Sequence, residues 1–196
     1  MIKTALLKDN LLKYVDLGFL LRFVILFLLL YFTNQSFEAI TNPPGLVYSP
    51  FFDHYLNYVH LVKLSILYIG QLIANAAGIH SDFLQDYTLR LTNGSAVKMY
   101  YECAGFGLIS FWIAFITSHN TSWQRKVGWS ITGIFAIWLI NCFRFALILQ
   151  VLNKDGQLGK GFDHHAVFNY SSYVAIFIMC WFFYRQDKKR LFGKQL

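Results

Sequence analysis

The chain has 196 residues, of which 56% are hydrophobic and only 14% are charged, and its net charge is +7. A soluble domain of this length would have about a quarter of its residues charged. The composition therefore excludes an ordinary soluble domain and predicts one all-α integral membrane domain over residues 1–196. The Lys and Arg residues flank the apolar segments, where they orient a chain against anionic lipid, so the positive charge does not indicate nucleic-acid binding.

Four apolar segments are each long enough to cross a bilayer, which takes roughly 17–25 residues. They are residues 17–33, 102–118, 127–152 and 167–184. No cleavage site of small residues follows the first segment, so we expect it to be a membrane span and not a cleavable signal peptide.

Residues 51–78 predict a helix of a different kind. Polar residues recur there at helical spacing among Leu, Ile and Tyr, namely Asp53, Asn57, His60, Gln71 and Asn75. This pattern is typical of an interfacial helix, or of a re-entrant helix that faces a wet cavity. Residues 86–101 alternate in polarity around Asn93-Gly94, which predicts a short extracytoplasmic β-hairpin.

The positive charges predict the topology. They form three clusters: Lys3, Lys8 and Lys13; Arg125 and Lys126; and Arg185, Lys188, Lys189, Arg190 and Lys194. All three clusters are cytoplasmic only if residues 51–78 do not cross the membrane, which predicts four transmembrane helices with the hairpin outside. The alternative is a fifth full span at residues 51–78, which would place one cluster on the wrong side.

In the four-span topology, three reactive kinds of side chain fall at one membrane face. Cys103 opens the span at residues 102–118, Arg144 lies near the end of the next span, and His164 and His165 just precede the last span. A thiol, a guanidinium and an imidazole supply the nucleophile, cation and base of thiol-based acyl transfer. Because an arginine at membrane depth costs at least about 2.5–3.5 kcal/mol, Arg144 indicates a functional site.

Each of these residues also has an ordinary structural interpretation. Arg144 could pair with Glu102 to hold two helices together, and Cys103 could be an inert small residue. The two histidines could cap a helix, bond a loop or bind a metal adventitiously. A metal-dependent hydrolase would need a ligand set such as His-Glu-x-x-His, which the sequence lacks, so we expect no metal and no cofactor.

Three motifs together resemble those of the exosortase/archaeosortase family of membrane-embedded cysteine transpeptidases. They are Glu102-Cys103-Ala104-Gly105, Asn141-Cys142-Phe143-Arg144, and His165 ahead of Asn169-Tyr170, with His164 as the adjacent candidate. The family also places a β-like segment before the cysteine. The resemblance covers about residues 55–184, although the family's usual Cys-Ser-Gly is Cys-Ala-Gly here and the chain is shorter than the eight-span members.

The resemblance implies a multi-pass sorting protease or transpeptidase of the plasma membrane. Its substrates would be secreted proteins that end in a short motif, a transmembrane helix and a basic tail. Cys103 would be the nucleophile, His165 or His164 the base, and Arg144 the residue that stabilises the oxyanion or orients the thiolate. Residues with supporting or substrate-binding roles would be Tyr101, Glu102, Asn141 and Asn169. The alternative is a non-catalytic membrane subunit or a small transporter that uses Arg144 as an anion contact.

Overall fold

The structure is a computed structural model that describes residues 16–43, 45, 47–154 and 164–192. These residues are mostly helical and include one small antiparallel sheet. The helices are α1 (Leu17–Thr41), α2 (Pro50–Leu56), α3 (Tyr58–Ala76), a 3-10 helix (Tyr101–Ala104), α4 (Phe106–Ser118), α5 (Trp123–Lys154) and α6 (His164–Phe192). The strands are β1 (Ser81–Leu84), β2 (Thr88–Leu91) and β3 (Ala96–Lys98).

Among the described residues, three helices are long and apolar enough to cross a membrane. They are α1, α3 and Trp123–Asn153 within α5, while the apolar helix α4 is shorter. Large apolar side chains are exposed along α1, including Leu21, Leu29 and Phe32. Exposed apolar side chains on long helices are what a lipid environment accommodates, so the fold has the membrane character that the composition predicts.

Helix α4 packs antiparallel to α1. Asn34 near the end of α1 donates from Nδ2 to Ser110 Oγ at 3.1 Å, in the first half of α4. At the other end of both helices, the ring centroids of Phe19 and His119 are 4.7 Å apart. The chain therefore reverses direction between these two helices.

Helix α5 is in turn antiparallel to α4. The indole of Trp112 is buried and donates from Nε1 to Trp129 O at 2.9 Å. Toward the other end of the pair, Asn141 Nδ2 donates to Ala104 O at 3.4 Å. Gly133 permits this packing, because a side chain at that position would overlap the indole of Trp112.

Helix α6 runs antiparallel to α5, because Arg125 at the start of α5 forms a 3.0 Å ion pair with Asp187 near the end of α6. Along the two helices, Arg144 lies about 28 Å from Arg125 and His165 about 33 Å from Asp187, at 1.5 Å per residue. The start of α6 is therefore at nearly the same level as Arg144. We call the end of the bundle near Arg144 the sheet end, because strands β1 to β3 lie there, and the end near Arg125 the basic end.

Helix α3 points in the same direction as α5. Trp138 Nε1 donates to Ser65 Oγ at 2.9 Å. About one and a half turns further along α3 and two turns further along α5, Gly70 lies against Phe145, and a Cβ on Gly70 would be 3.0 Å from that ring. The two helices thus advance together toward the sheet end.

Helix α3 also follows the direction of α1. The contacts of Tyr58 with Asn34 and of Lys63 with Glu38 advance together along the two helices. Consecutive membrane spans point in opposite directions when the chain crosses and returns. Because α1 and α3 point the same way, the connection that contains α2 runs back from the end of α1 to the level of Asn34, where α3 begins.

The sheet closes one end of the helix bundle. Its strand order is β1-β2-β3, with Leu89 opposite Val97 in the β2–β3 pair. Leu89, Leu91 and Met99 are buried in the same apolar core as α3 and α5. The turn after β2 is fixed to the end of α5, because Asn93 Nδ2 donates to Leu152 O at 2.9 Å.

Several predicted boundaries differ from the structure. The helix of residues 17–33 continues to Thr41, because Asn34 and Glu38 find partners on neighbouring helices and do not need a loop. The single helix of residues 51–78 is two helices separated at Asn57, whose side chain caps α3 by accepting from the His60 N–H at 2.8 Å. The hairpin of residues 86–101 is part of a three-stranded sheet, and β1 was not predicted.

The helix directions predict where inserted reporters will lie. A reporter fused after Leu196 should be cytoplasmic, since the last helix ends at the basic end, and one inserted between Asn93 and Gly94 should be extracytoplasmic. Paired phosphatase and fluorescent-protein fusions would measure both positions. A hairpin reporter on the cytoplasmic side would contradict the four-span topology.

Candidate active site

Cys103 lies in a short turn that connects the sheet to α4. It is the third residue of the 3-10 helix Tyr101–Ala104, whose end at Gly105 has a left-handed φ of +82°. Helix α4 begins only at Phe106, so the prediction that Cys103 opens the long helix is wrong by one turn. Glycine is required at position 105 for two reasons. Any other residue would be strained at this left-handed φ, and its side chain would overlap the Asn141 amide.

Asn141 and Arg144 bring α5 against this turn. Asn141 Nδ2 donates to Ala104 O at 3.4 Å, and Arg144 Nη2 donates to Cys103 O at 3.5 Å. The two side chains are three residues apart, which places them on one face of the helix. Their exposed fractions are only 2% and 9%. Residues from two of the predicted motifs therefore meet.

Cys103, Asn141 and Arg144 line one cavity of about 420 Å³ at the sheet end. One wall is the segment Ala96–Tyr100, and the other is the last three turns of α5, from Asn141 to Leu152. Among the described residues that line the cavity, the charged ones are Lys98 and Arg144, and the rest of the lining is mainly apolar. An apolar cavity with a few convergent polar groups is the common form of a binding site.

Asn141 contributes an acceptor as well as a donor. Its Oδ1 is buried, and no donor among the described residues reaches it. Buried polar atoms in folded proteins nearly always have a partner, and those that lack one are often at sites that bind something else.

The predicted histidines and Asn169 lie in the first turns of α6, at the sheet end. The structure describes their backbone, and the side chains of His164, His165 and Asn169 lie outside the described part. The backbone places the two histidines within about one helical turn of the level of Arg144.

The other cysteines lie elsewhere. Cys142 is fully buried in the core between α3 and α5, and Cys180 is half-buried on α6. Of the three thiols, Cys103 is the one that lines the described cavity. Glu102, its neighbour, is exposed to solvent, whereas Arg144 is nearly buried.

A buried ion pair beside the site was not predicted. Lys63 Nζ lies 2.7 Å from Glu38 Oε1, with side-chain exposures of 7% and 21%. The same ammonium is 5.0 Å from the ring centre of Tyr87 and 5.9 Å from that of Tyr101. The available sequence signals were a lone Lys in the apolar helix α3 and a lone Glu near the end of α1.

Tyr101 connects this ion pair to the thiol. Its ring stacks on Phe106 with centroids 5.2 Å apart, and it lies two residues before Cys103. Burial, followed by nearby acidic groups, raises the pKa of Tyr101 above its usual range, so its hydroxyl stays neutral at physiological pH. Tyr101 can therefore donate a hydrogen bond but does not supply a base.

No protein-family model matches the chain, and no curated protein or solved structure matches it. Within residues 16–43, 45, 47–154 and 164–192, no group of three or more His, Cys, Asp or Glu side chains could hold a metal ion. Function is therefore inferred from the residues of the cavity.

Removal of either partner of the buried ion pair should destabilise the protein. Glu38→Gln or Lys63→Met leaves one buried charge without its counter-ion, which typically costs about 3–5 kcal/mol. The double change Glu38→Gln with Lys63→Met removes both charges and should lose much less. Thermal unfolding of the purified protein in detergent, followed by Trp fluorescence, would measure this, with exposed Lys98→Met as the control. A double variant as unstable as the sum of the two single variants would contradict the pairing.

Proposed function

We propose that this chain is a membrane cysteine protease or transpeptidase of the exosortase type, acting on the C-terminal sorting signals of secreted proteins. The observation that supports this most is that Cys103, Asn141 and Arg144 line one cavity. Two motifs separated by 38 residues supply them, and the fold brings them together. A thiol that lines the same cavity as a nearly buried guanidinium is suited to nucleophilic attack on a carbonyl.

The proposed reaction has two steps. The Cys103 thiolate attacks a substrate peptide carbonyl and forms a thioester, while the C–N bond breaks and the leaving amine takes a proton from His165 or His164. Water, or an acceptor amine or hydroxyl, then attacks the thioester, the C–S bond breaks, and the Cys103 thiolate is restored. The same histidine takes the proton of the attacking group in this second step.

Arg144 and Asn141 would assist charge development near the thiol. The Arg144 Nη2 group lies against the carbonyl of Cys103, so it is held close to the point of attack. A buried guanidinium interacts strongly with a nearby negative charge, because little water screens it. It would stabilise the oxyanion of the tetrahedral intermediate or orient the thiolate, with the Asn141 amide beside it.

The reaction would take place at the outer face of the plasma membrane. Four spans, α1, α4, α5 and α6, would cross, and α3 would be re-entrant or interfacial even though its length and composition would suffice to span. The shared direction of α1 and α3 supports this topology. Arg125 and Lys126 would then be cytoplasmic at the basic end, and the sheet would be outside.

A non-catalytic anion-binding subunit or small transporter is the second candidate. It is favoured by the cationic character of the cavity, since Lys98 and Arg144 are the charged residues among the described residues that line it. Such a protein would need Arg144 and tolerate the loss of the Cys103 thiol. The variants below separate the two functions.

Cys103→Ala should abolish processing of a co-expressed secreted protein that carries a C-terminal motif, a transmembrane helix and a basic tail. The thiol is the proposed nucleophile, so no acyl-enzyme can form without it. Gel mobility and mass spectrometry of the substrate would measure processing at matched enzyme levels. Cys142→Ala and Cys180→Ala are the controls and should retain processing, because neither thiol lines the cavity. Normal processing by Cys103→Ala would exclude the thiol mechanism.

Arg144→Lys should keep the protein level but lose most activity. An ammonium cannot reproduce the planar, two-pronged donor geometry of a guanidinium, and loss of one oxyanion donor typically lowers a rate about 10²–10³-fold. Processing assays at equal protein abundance would measure the loss, with Arg144→Ala as a second variant. If Arg144 only stabilises the fold, Lys would restore activity and Ala would lower the protein level instead.

A further inference from the structure

One edge of the small sheet has no neighbouring strand in the described part of the chain. The strand order β1-β2-β3 places β3 at this edge, and its other side pairs with β2. Edge strands present a row of backbone N–H and C=O groups that can pair with another chain. An edge of this kind is a template for binding an extended peptide.

The register identifies the backbone groups that point away from the sheet. Just beyond the two ends of β3, Met99 N donates to Tyr87 O and Leu91 N donates to Ser95 O, so the odd-numbered residues from Ser95 to Met99 face β2. In an antiparallel pair the direction of these groups alternates from residue to residue. The N–H and C=O groups of Ala96 and Lys98 therefore point to the free edge.

This edge borders the cavity that contains the thiol. All five residues from Ala96 to Tyr100 line the cavity, together with Cys103. The opposite wall is formed by Phe145, Ile148 and Val151 of α5, which can contact apolar side chains. A peptide paired with β3 would thus lie between the edge and α5, within a few residues of Cys103.

We infer that the free edge of β3 binds the substrate main chain as an additional strand and presents it to Cys103. The inference rests on the proposed function and names its mode of substrate recognition. Hydrogen bonds to Ala96 and Lys98 would hold the backbone whatever its side chains are, and the cavity would select their size and polarity.

Charge restricts the occupant to a segment without basic residues. Among the described lining residues, Lys98 and Arg144 carry charge and both are cations. They attract carbonyl oxygens and repel Lys or Arg side chains that enter the cavity. The bound segment is therefore extended, carries no Lys or Arg within the cavity, and is separate from any basic tail of the substrate.

Lys98→Pro tests this mode of binding directly. Proline removes the outward N–H and places its ring at the free edge, and it is tolerated at edge positions that do not donate within the sheet. We expect at least about a tenfold fall in the processing rate of a co-expressed substrate with the tripartite C-terminal signal. The matched control, Lys98→Ala, removes the same side chain but keeps the N–H, so Lys98→Pro should process at least about tenfold more slowly than Lys98→Ala.

Two further measurements separate loss of binding from loss of structure. The Lys98→Pro protein should unfold at close to the wild-type temperature, and its Cys103 should react with a small maleimide at close to the wild-type rate. Val97→Pro is the comparison for a broken sheet, because that N–H faces β2. If Lys98→Pro does not fold, Ala96→Pro, which removes the other outward N–H, takes its place.

Each outcome has a distinct meaning. Wild-type processing by a folded Lys98→Pro protein, or an equal loss in Lys98→Ala, would overturn strand addition and leave the proposed function intact. Normal processing by Cys103→Ala would overturn the proposed function itself. A selective loss in Lys98→Pro, with the thiol still reactive, would support binding of the substrate main chain at β3.

Discussion

Polar side chains buried in an apolar bundle must find partners within the protein, and this constraint determines how the sheet end is built. Asn141 reaches Ala104, Arg144 reaches Cys103, and Lys63 pairs with Glu38. Each contact connects two segments that are distant in sequence. Together they fix the turn that carries the thiol against α5 on one side and near α1 and α3 on the other. The same contacts that stabilise the bundle therefore position the candidate nucleophile.

The sequence predicted what local chemistry determines. Long apolar segments, the tight-turn pair Asn93-Gly94 and an arginine in the middle of an apolar run all carry their signal within a few residues. The association of Cys103 with Asn141 and Arg144 was also predicted, because helices that cross a membrane in alternating directions bring start and end to one face.

The features that were missed depend on contacts between distant segments. Helix α1 extends to Thr41 because Glu38 is neutralised by Lys63, and a sequence alone does not show that the two will meet. The helix breaks at Asn57, whose side chain caps the start of α3. This cap is needed only because the chain returns through α2 before α3 begins. Strand β1 is short, and it is stabilised by pairing with β2 more than by an alternation of polar and apolar residues in its own sequence.

The size and lining of the cavity restrict how a protein substrate could reach the thiol. A volume of about 420 Å³ holds a few side chains and not a folded domain, so the segment that enters must be extended. A segment just outside a transmembrane helix is already unfolded and is held near the membrane surface. Such a segment loses little further conformational freedom when it pairs with a strand edge, because the membrane already restricts its position. In the proposed function, the buried Arg144 and the free edge of β3 would be two parts of one arrangement, in which the edge would align the chain and the cation would act on its carbonyl.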